Sequence, residues 1–368
     1  MKAAREQRPE RRGARRDGAG PVRVGVAGLG RAGWDIHVAA VRKLPELFQV
    51  AAVLDGLAER REQAGRELLC PAYERYEELI ADRGVELVVV ASPTGLHADW
   101  TVAALAAGKD VLCEKPVARD LAECDRMIAA ERKSGRAFSV FQNRRYSPSF
   151  LKVRQVAASG ALGRIVLVRA AVCDFRRRWD WQTVRSLGGG MLRNYGAHRI
   201  DQLMEFSGAA QPQVCCRLDR VLASGDAEDF VRLSLSAPDA PLLEMDIFMN
   251  CAFELPEWLV LGDRGSLLGG ARGKQDPMRW RVVRGFEALP RHEPDPGPAA
   301  GRLYQQEKLE FDEFESVPGQ EFGDADLAFY RDLHAALRSG APLAVTSASV
   351  RRRMLVIERC LEEQARLR

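Results

Sequence analysis

Residues 87–116 read LVVVASPTGLHADWTVAALAAGKDVLCEKP, and this stretch decides the fold. It opens on a continuous apolar run, Leu87–Ala91, which suits a strand buried on both faces of a parallel sheet. A turn follows at Ser92-Pro93-Thr94-Gly95. The spacing then predicts a helix from His97 to Ala107, closed by Gly108 as a C-cap glycine. A second short apolar run, Val111–Cys113, leads into Glu114-Lys115-Pro116. Strand, helix and strand form one crossover unit, and its second strand delivers a lysine to the carboxyl edge of the sheet. Ligands of open α/β sheets bind at that edge.

Working towards the N-terminus, Val22–Ala27 reads as a short buried strand that runs into Gly28-Leu29-Gly30-Arg31-Ala32-Gly33. A helix is expected from Trp34 to Leu44, then a second strand, Gln49–Leu54, ending at Asp55. In a dinucleotide-binding turn, Gly28 permits the tight bend, Gly30 lets the backbone approach a pyrophosphate, and Gly33 allows helix and strand to pack closely. The plainer reading of the same glycines is an ordinary strand–helix turn. Asp55 lies 25 residues past Gly30, near the distance expected of a carboxylate that holds a ribose 2′-hydroxyl. A carboxylate there repels a 2′-phosphate, and Gly56-Leu57 places no arginine directly after it, which favours NAD(H) over NADP(H). Further helices are expected at Glu59–Leu69, Tyr76–Ala81 and Asp120–Ser134, with Asp120 as N-cap. Phe138–Phe141 reads as the last strand of this half.

At 368 residues the chain is long enough for two domains. They are expected at 21–140 and 141–368, behind a basic tail at 1–20. The tail carries a net charge of +4, equal to that of the whole chain, so the remainder is neutral and supports no nucleic-acid patch. Arg11-Arg12 and Arg15-Arg16 suggest a twin-arginine export signal, but no apolar segment follows, and a disordered, solvated tail is the preferred reading. No apolar stretch is long enough to span a bilayer. The eight cysteines are scattered without metal-ligand spacing, as expected of small core residues in a reducing cytoplasm, and no metal is expected.

The second half begins with an expected helix, Leu151–Ser159, and an alternating strand, Ile165–Cys173. Arg176 to Gln182 form an arginine- and tryptophan-rich loop with two open readings: a solvated charge run, or a wall for a polyhydroxylated ligand. Leu187 to Leu203 carries three glycines and then a helical pattern in which Asn194, His198 and Asp201 share one face. A histidine with a polar partner one turn away suits a general base, whereas alone it also suits a packed core histidine. Runs at Val214–Leu222, Phe230–Ser236, Leu242–Asn250 and Trp258–Leu261 imply a mostly antiparallel sheet. Residues 271–322 read as a long excursion of loops, and Asp324–Ser339 and Ser347–Arg368 as closing helices. His292 and His334 read as surface residues, and His97 as a helix-start residue lining a groove rather than a catalytic one.

Four motifs together resemble the Gfo/Idh/MocA oxidoreductases, the family of glucose–fructose oxidoreductase and inositol dehydrogenase. They are Gly28-x-Gly30-x-x-Gly33, Ser92-Pro93-Thr94-x-x-His97, Ala107 to Pro116, and Gly188 to Asp201. The resemblance implies an α/β protein: an N-terminal Rossmann domain followed by an α/β domain with a large open, mainly antiparallel sheet that mediates a homodimer or homotetramer. It implies hydride transfer between NAD(H) and a secondary hydroxyl or ketone of a sugar, cyclitol or related polyol. Lys115 matches the family lysine that binds the reacting oxygen, and His198 matches its general base. Asn194 stands where the inositol dehydrogenase branch often has an aspartate; it orients a hydroxyl but shares no charge with the histidine. The implied cofactor residues are Gly28, Leu29, Gly30, Arg31, Ala32, Gly33, Asp55, Ser92, Pro93, Thr94, His97, Glu114, Lys115 and Gln142. The implied substrate residues are Lys115, Arg145, Arg178, Trp179, Trp181, Asn194 and His198. Two alternatives on the same fold are an NAD-dependent redox glycosidase and a non-catalytic NAD-binding regulator.

Overall fold

The computed structural model describes residues 20–209, 211–270, 277–287 and 307–366. The basic tail before Gly20 and His292 lie outside these residues. Strands β1 (Val22–Ala27), β2 (Phe48–Leu54), β3 (Ala72–Tyr73), β4 (Leu87–Val90), β5 (Asp110–Cys113) and β6 (Phe138–Val140) form one sheet in the order β3-β2-β1-β4-β5-β6. Every pairing in it is parallel. All four residues of β4 are buried, as its unbroken apolar run requires.

A π-helical segment, Ala32–Val38, continues as α1 (Ala39–Arg42), where the glycine turn predicts a plain α-helix. Helices α2 (Ala58–Leu68), α3 (Tyr76–Ala81), α4 (His97–Ala106) and α5 (Leu121–Ser134) complete the crossovers. Asp120 caps α5: its carboxylate accepts the Glu123 amide at 2.8 Å, and Gly135 ends the helix in the left-handed conformation. The chain leaves β1 in one direction to β2 and in the other to β4. The crevice of this sheet therefore opens at the carboxyl ends of β1 and β4.

Helix α6 (Pro148–Ala158) leads into β7 (Ile165–Cys173) and a loop with two 3-10 turns, Trp181–Thr183 and Arg185–Leu187. A second π-helical segment, Leu192–Gly196, runs on as α7 (Ala197–Met204). Strands β8 (Gln213–Asp219), β9 (Phe230–Ser236), β10 (Leu242–Phe248), β11 (Trp258–Gly262), β12 (Gly265–Gly269), β13 (Met278–Val283) and β14 (Phe311–Ser316) join β7 in an eight-stranded sheet. Its order is β14-β13-β12-β11-β7-β10-β9-β8, antiparallel except between β7 and β10. Val168, Ala170, Trp258, Val260 and Leu267 fill its helix-covered face.

The expected loop excursion at 271–322 is corrected here: β13 and β14 fall inside it, as does the short helix α8 (Pro318–Glu321). The two strands hide behind charge because their alternating arginines and acids pair across the ladder. Arg281 meets Glu313 at 2.8 Å and Arg279 meets Glu315 at 3.4 Å, while Trp280 stacks on Phe314.

Helices α9 (Ala325–Arg338) and α10 (Ser347–Arg366) return to the first sheet. Tyr330 and Phe329 of α9 pack edge-on against Phe48 and Phe141, and Arg351 of α10 pairs with Asp125 of α5 at 2.6 Å. A fully buried aromatic of this kind contributes roughly 1.5–3 kcal/mol of transfer free energy. His334 is half-buried edge-on to Phe48, not on the open surface, because this docking covers it.

Candidate active site

Five strand ends converge at the crevice. The turn after β1 is held by close packing: a Cβ on Gly33 would sit 1.8 Å from the Gly28 carbonyl oxygen, and one on Gly28 would sit 2.6 Å from that of Ala91. A Cβ on Gly30 would meet nothing within 4 Å, so the backbone there faces open space large enough for a ligand to approach. At the end of β2, Asp55 accepts the Leu29 amide at 2.8 Å and the Leu57 amide at 2.9 Å, with Arg60 Nη1 at 3.3 Å. A carboxylate has about four acceptor positions, and these contacts take three.

After β4, the turn Ser92-Pro93-Thr94 is tied to the turn after β5 by His97. Its ring nitrogens lie 2.9 Å from the Ser92 and Pro116 carbonyl oxygens, and the ring is buried. Burial holds its pKa below the usual histidine value, against the pull of the two carbonyls. His97 therefore shapes the groove as a clamp, and its side chain is spent on protein backbone rather than left for a cofactor.

Glu114 at the end of β5 is also corrected. Its carboxylate accepts from His37 Nε2 at 3.1 Å and from the Lys115 amide at 2.8 Å, and His37 Nδ1 meets the Tyr330 hydroxyl at 2.8 Å. The side chain thus turns into the core. Burial raises its pKa, but the His37 hydrogen bond and the His37 and Lys115 charges outweigh this, so the net shift is downward. His37 carries no motif, and sequence reasoning missed it.

Lys115 is the residue left facing the crevice. Its Nζ donates to Asn194 Oδ1 at 2.9 Å and lies 3.3 Å from the Asn194 carbonyl oxygen. Burial lowers its pKa; Glu114 opposes this, and the charges of Arg31, Arg144 and Arg178 add to it. Asn194 Nδ2 in turn donates to Gln182 Oε1 at 2.9 Å, so the arginine- and tryptophan-rich loop reaches the site through a glutamine that the sequence does not single out. Gly189 makes room for that loop, since a Cβ there would lie 2.5 Å from the Gln182 carbonyl oxygen.

His198 Nδ1 lies 2.8 Å from the Gln142 carboxamide. Its pKa is held well below the usual value by burial first, then by Lys115, Arg144, Arg353 and Arg199, so the ring is neutral. Lys115, Asn194 and His198 are thus brought together as expected. Three other expectations are corrected. Gln142 is wholly buried between His198 and Arg353, which leaves no edge for a cofactor. Arg145 is buried in a two-pronged pair with Asp201 at 2.7 and 2.8 Å and donates to the Ala344 carbonyl, so it is structural rather than substrate-facing. Asp201 does not line the site with Asn194 and His198. Asp201 follows His198 by three residues within regular α7, so it lies round the helix from the ring, and its carboxylate is taken up between Arg145 and Arg353.

In the loop, Arg178 pairs with Asp180 at 2.7 Å, and Trp179 and Trp181 stand 81% and 50% exposed. Their faces are open to solvent, whereas Arg178 is half-buried. Arg353 is a third residue that sequence reasoning missed, after His37 and Gln182. Its signal is a charge set within the apolar stripe Val350, Met354, Ile357 of a helix.

Residues 22–142 match the oxidoreductase family described as NAD-binding Rossmann fold, and residues 150–268 match the GFO/IDH/MocA C-terminal domain. The chain belongs to the GFO/IDH/MocA oxidoreductase family. It is 31% identical over 273 residues to an inositol 2-dehydrogenase of Gluconacetobacter diazotrophicus, covering 73% of this chain and 78% of that one. It is 24% identical to the scyllo-inositol 2-dehydrogenase (NADP(+)) of Bacillus subtilis, over 93% of both chains. Its fold superposes on the aldose-aldose oxidoreductase of Caulobacter crescentus with a TM-score of 0.74 at 22% identity, covering 95% and 98% of the two chains. Among the described residues, no helix is long and apolar enough to cross a membrane, and no cluster of His, Cys, Asp or Glu is arranged to hold a metal ion.

Proposed function

We propose that this oxidoreductase transfers hydride between NAD(H) and a secondary hydroxyl or ketone of a sugar, cyclitol or related polyol. The observation that carries the reading is the convergence of Lys115, Asn194 and His198 at the carboxyl edge of the sheet, the edge on which the glycine turn after β1 also lies. A bound nicotinamide supplies a hydride acceptor or donor. Gly28 to Gly33 receive the pyrophosphate, with Leu29, Arg31 and Ala32 along the turn, while Ser92, Pro93 and Thr94 line the groove. The remaining acceptor position of Asp55 holds a ribose hydroxyl, which supports NAD(H) over NADP(H). Lys115 binds the reacting oxygen and offsets negative charge as it develops there. Asn194, braced by Gln182, orients that lysine and a neighbouring hydroxyl.

The inositol dehydrogenase relatives support a polyol substrate, and the retained lysine and histidine favour an enzyme over a regulator. The sheet face opposite the helices exposes Leu261 and Leu268, in register with Leu167 and Leu259, which supports assembly into a homodimer or homotetramer through that face. The eight cysteines remain free thiols, consistent with a cytoplasmic setting. The test is the absorbance of reduced nicotinamide on mixing protein and NAD with sugars, cyclitols, sugar acids and glycosides. A rise with one class supports the reading. Cleaved glycoside without net reduction of NAD moves the assignment to a redox glycosidase. Tight NAD binding with neither signal favours a regulator.

A further inference from the structure

The contacts behind His198 bear on which residue carries the proton in the proposed reaction, and the inference rests on that reading. Gln142 is wholly buried, with one end of its amide 2.8 Å from His198 Nδ1. Its other end faces the Arg353 guanidinium, at 3.1 Å from Nη1 and 3.3 Å from Nη2. A guanidinium has donors only. The amide oxygen must therefore face Arg353, and the amide nitrogen must face the ring. The opposite orientation sets an NH2 group against guanidinium N–H groups in a buried site, where an unmet donor costs about 1–3 kcal/mol.

Arg353 is not free to turn away. It is buried, and its Nη1 donates to Asp201 Oδ1 at 2.5 Å. Asp201 is in turn held by both prongs of Arg145. The direction of donation is thus set from the core outward: Arg353 donates to the Gln142 oxygen, and the Gln142 N–H donates to His198 Nδ1. A neutral imidazole whose Nδ1 accepts carries its one proton on Nε2. A doubly protonated ring would turn an Nδ1–H against the amide N–H.

We propose that His198 serves the reacting oxygen as a hydrogen-bond donor through Nε2–H, that Lys115 exchanges the proton, and that Gln142 and Arg353 are positioning residues for this division of roles. The amine form of Lys115 has two N–H bonds and one lone pair. Its two contacts to Asn194 use the two N–H groups and leave the lone pair for a substrate hydroxyl. In the oxidative direction the hydride leaves the substrate carbon for the cofactor, and the O–H proton passes to Lys115 Nζ, making the ammonium. The carbon–oxygen bond becomes double while His198 Nε2–H stays bonded to the oxygen. The reverse step returns the proton from the ammonium to the forming alkoxide.

The experiment reads the tautomer directly, in ligand-free protein with 15N-labelled histidine, the His198 signals being identified by their loss in His198→Gln. The expected spectrum at neutral pH has a protonated Nε2 and a bare Nδ1. Gln142→Glu, whose carboxylate only accepts, is expected to move the proton to Nδ1. A wild-type proton on Nδ1, or on both nitrogens, overturns the proposal. This readout needs no substrate, so it stands apart from failure of the substrate assignment. With a substrate in hand, His198→Gln keeps an N–H donor but no basicity, and is expected to retain kcat within about tenfold with an unchanged pH limb. His198→Ala is expected to lose about 10²–10³-fold, as removal of one donor to a developing oxyanion does. A His198→Gln variant as inactive as His198→Ala, or one that loses the pH limb, also overturns it.

Discussion

Two glycines three residues apart in the turn after β1 give the sharpest test of the cofactor crevice: Gly30→Ala and Gly33→Ala. At Gly33 the added Cβ would lie 1.8 Å from the Gly28 carbonyl oxygen, against about 3.3 Å for an ordinary carbon–oxygen contact. The helix must retreat by roughly 1.5 Å, and overpacking against backbone costs about 1–3 kcal/mol or more. At Gly30 the Cβ meets nothing within 4 Å, and the backbone is not in the left-handed region. Gly30→Ala is therefore expected to leave stability unchanged, or to raise it by up to about 1 kcal/mol through loss of chain freedom in the unfolded state. Its methyl group fills the space through which a pyrophosphate would approach in the proposed cofactor site. Losing about 1–3 kcal/mol of binding weakens NAD affinity by about 5- to 150-fold. Urea unfolding and NAD titration by calorimetry separate the two effects. Gly33→Ala should lose both stability and affinity, and Gly30→Ala affinity alone. A Gly30→Ala protein that binds NAD like the wild type refutes the placement of the pyrophosphate. One as unstable as Gly33→Ala refutes the open space.

Four further outcomes are expected. Asp55→Ala narrows the preference for NAD over NADP and lowers stability, because the Leu29 and Leu57 amides lose their acceptor; unchanged selectivity in paired titrations removes Asp55 from the cofactor site. Arg145→Ala leaves Asp201 short of a partner in the core and costs about 3–5 kcal/mol in urea unfolding. Trp179→Ala, at an exposed position, stays within about 0.5 kcal/mol of the wild type. Burial holds His198 and His97 below their ordinary pKa of 6.5 in the folded protein, so below that pH the unfolded chain binds more protons. Their contribution is complete above pH 6.5 and is lost as pH falls from there towards the folded values. The urea midpoint should drop between pH 7.5 and 5.5, and less steeply in His198→Gln.

The stretch 87–116 was legible because each residue's local preference agrees with its place in the sheet: Leu87–Val90 is buried on both faces, Gly108 takes positive φ, and Val111–Cys113 lies in β5. The same agreement made the glycine turn and Asp55 readable. What failed depends on partners distant in the chain. Arg281 and Glu313 look like loop charges until their strands pair, and Arg145 looks like a substrate ligand until Asp201 arrives from α7. The two π-helical segments leave no periodic trace, and Asp201 is drawn from the site by Arg145 and Arg353, which come from other elements. His37 and Tyr330 lie 293 residues apart, and their contact has no local signal at all.

The most direct test of the central claim uses a substrate deuterated at its carbinol carbons, taken from whichever class reduces NAD. Analysis of the nicotinamide by mass spectrometry and proton NMR should find deuterium on C4 of the reduced cofactor, one atom per ketone formed, and none in Lys115→Ala. Deuterium released to water, or retained in a cleaved product with no net reduced cofactor, would contradict net hydride transfer to NAD.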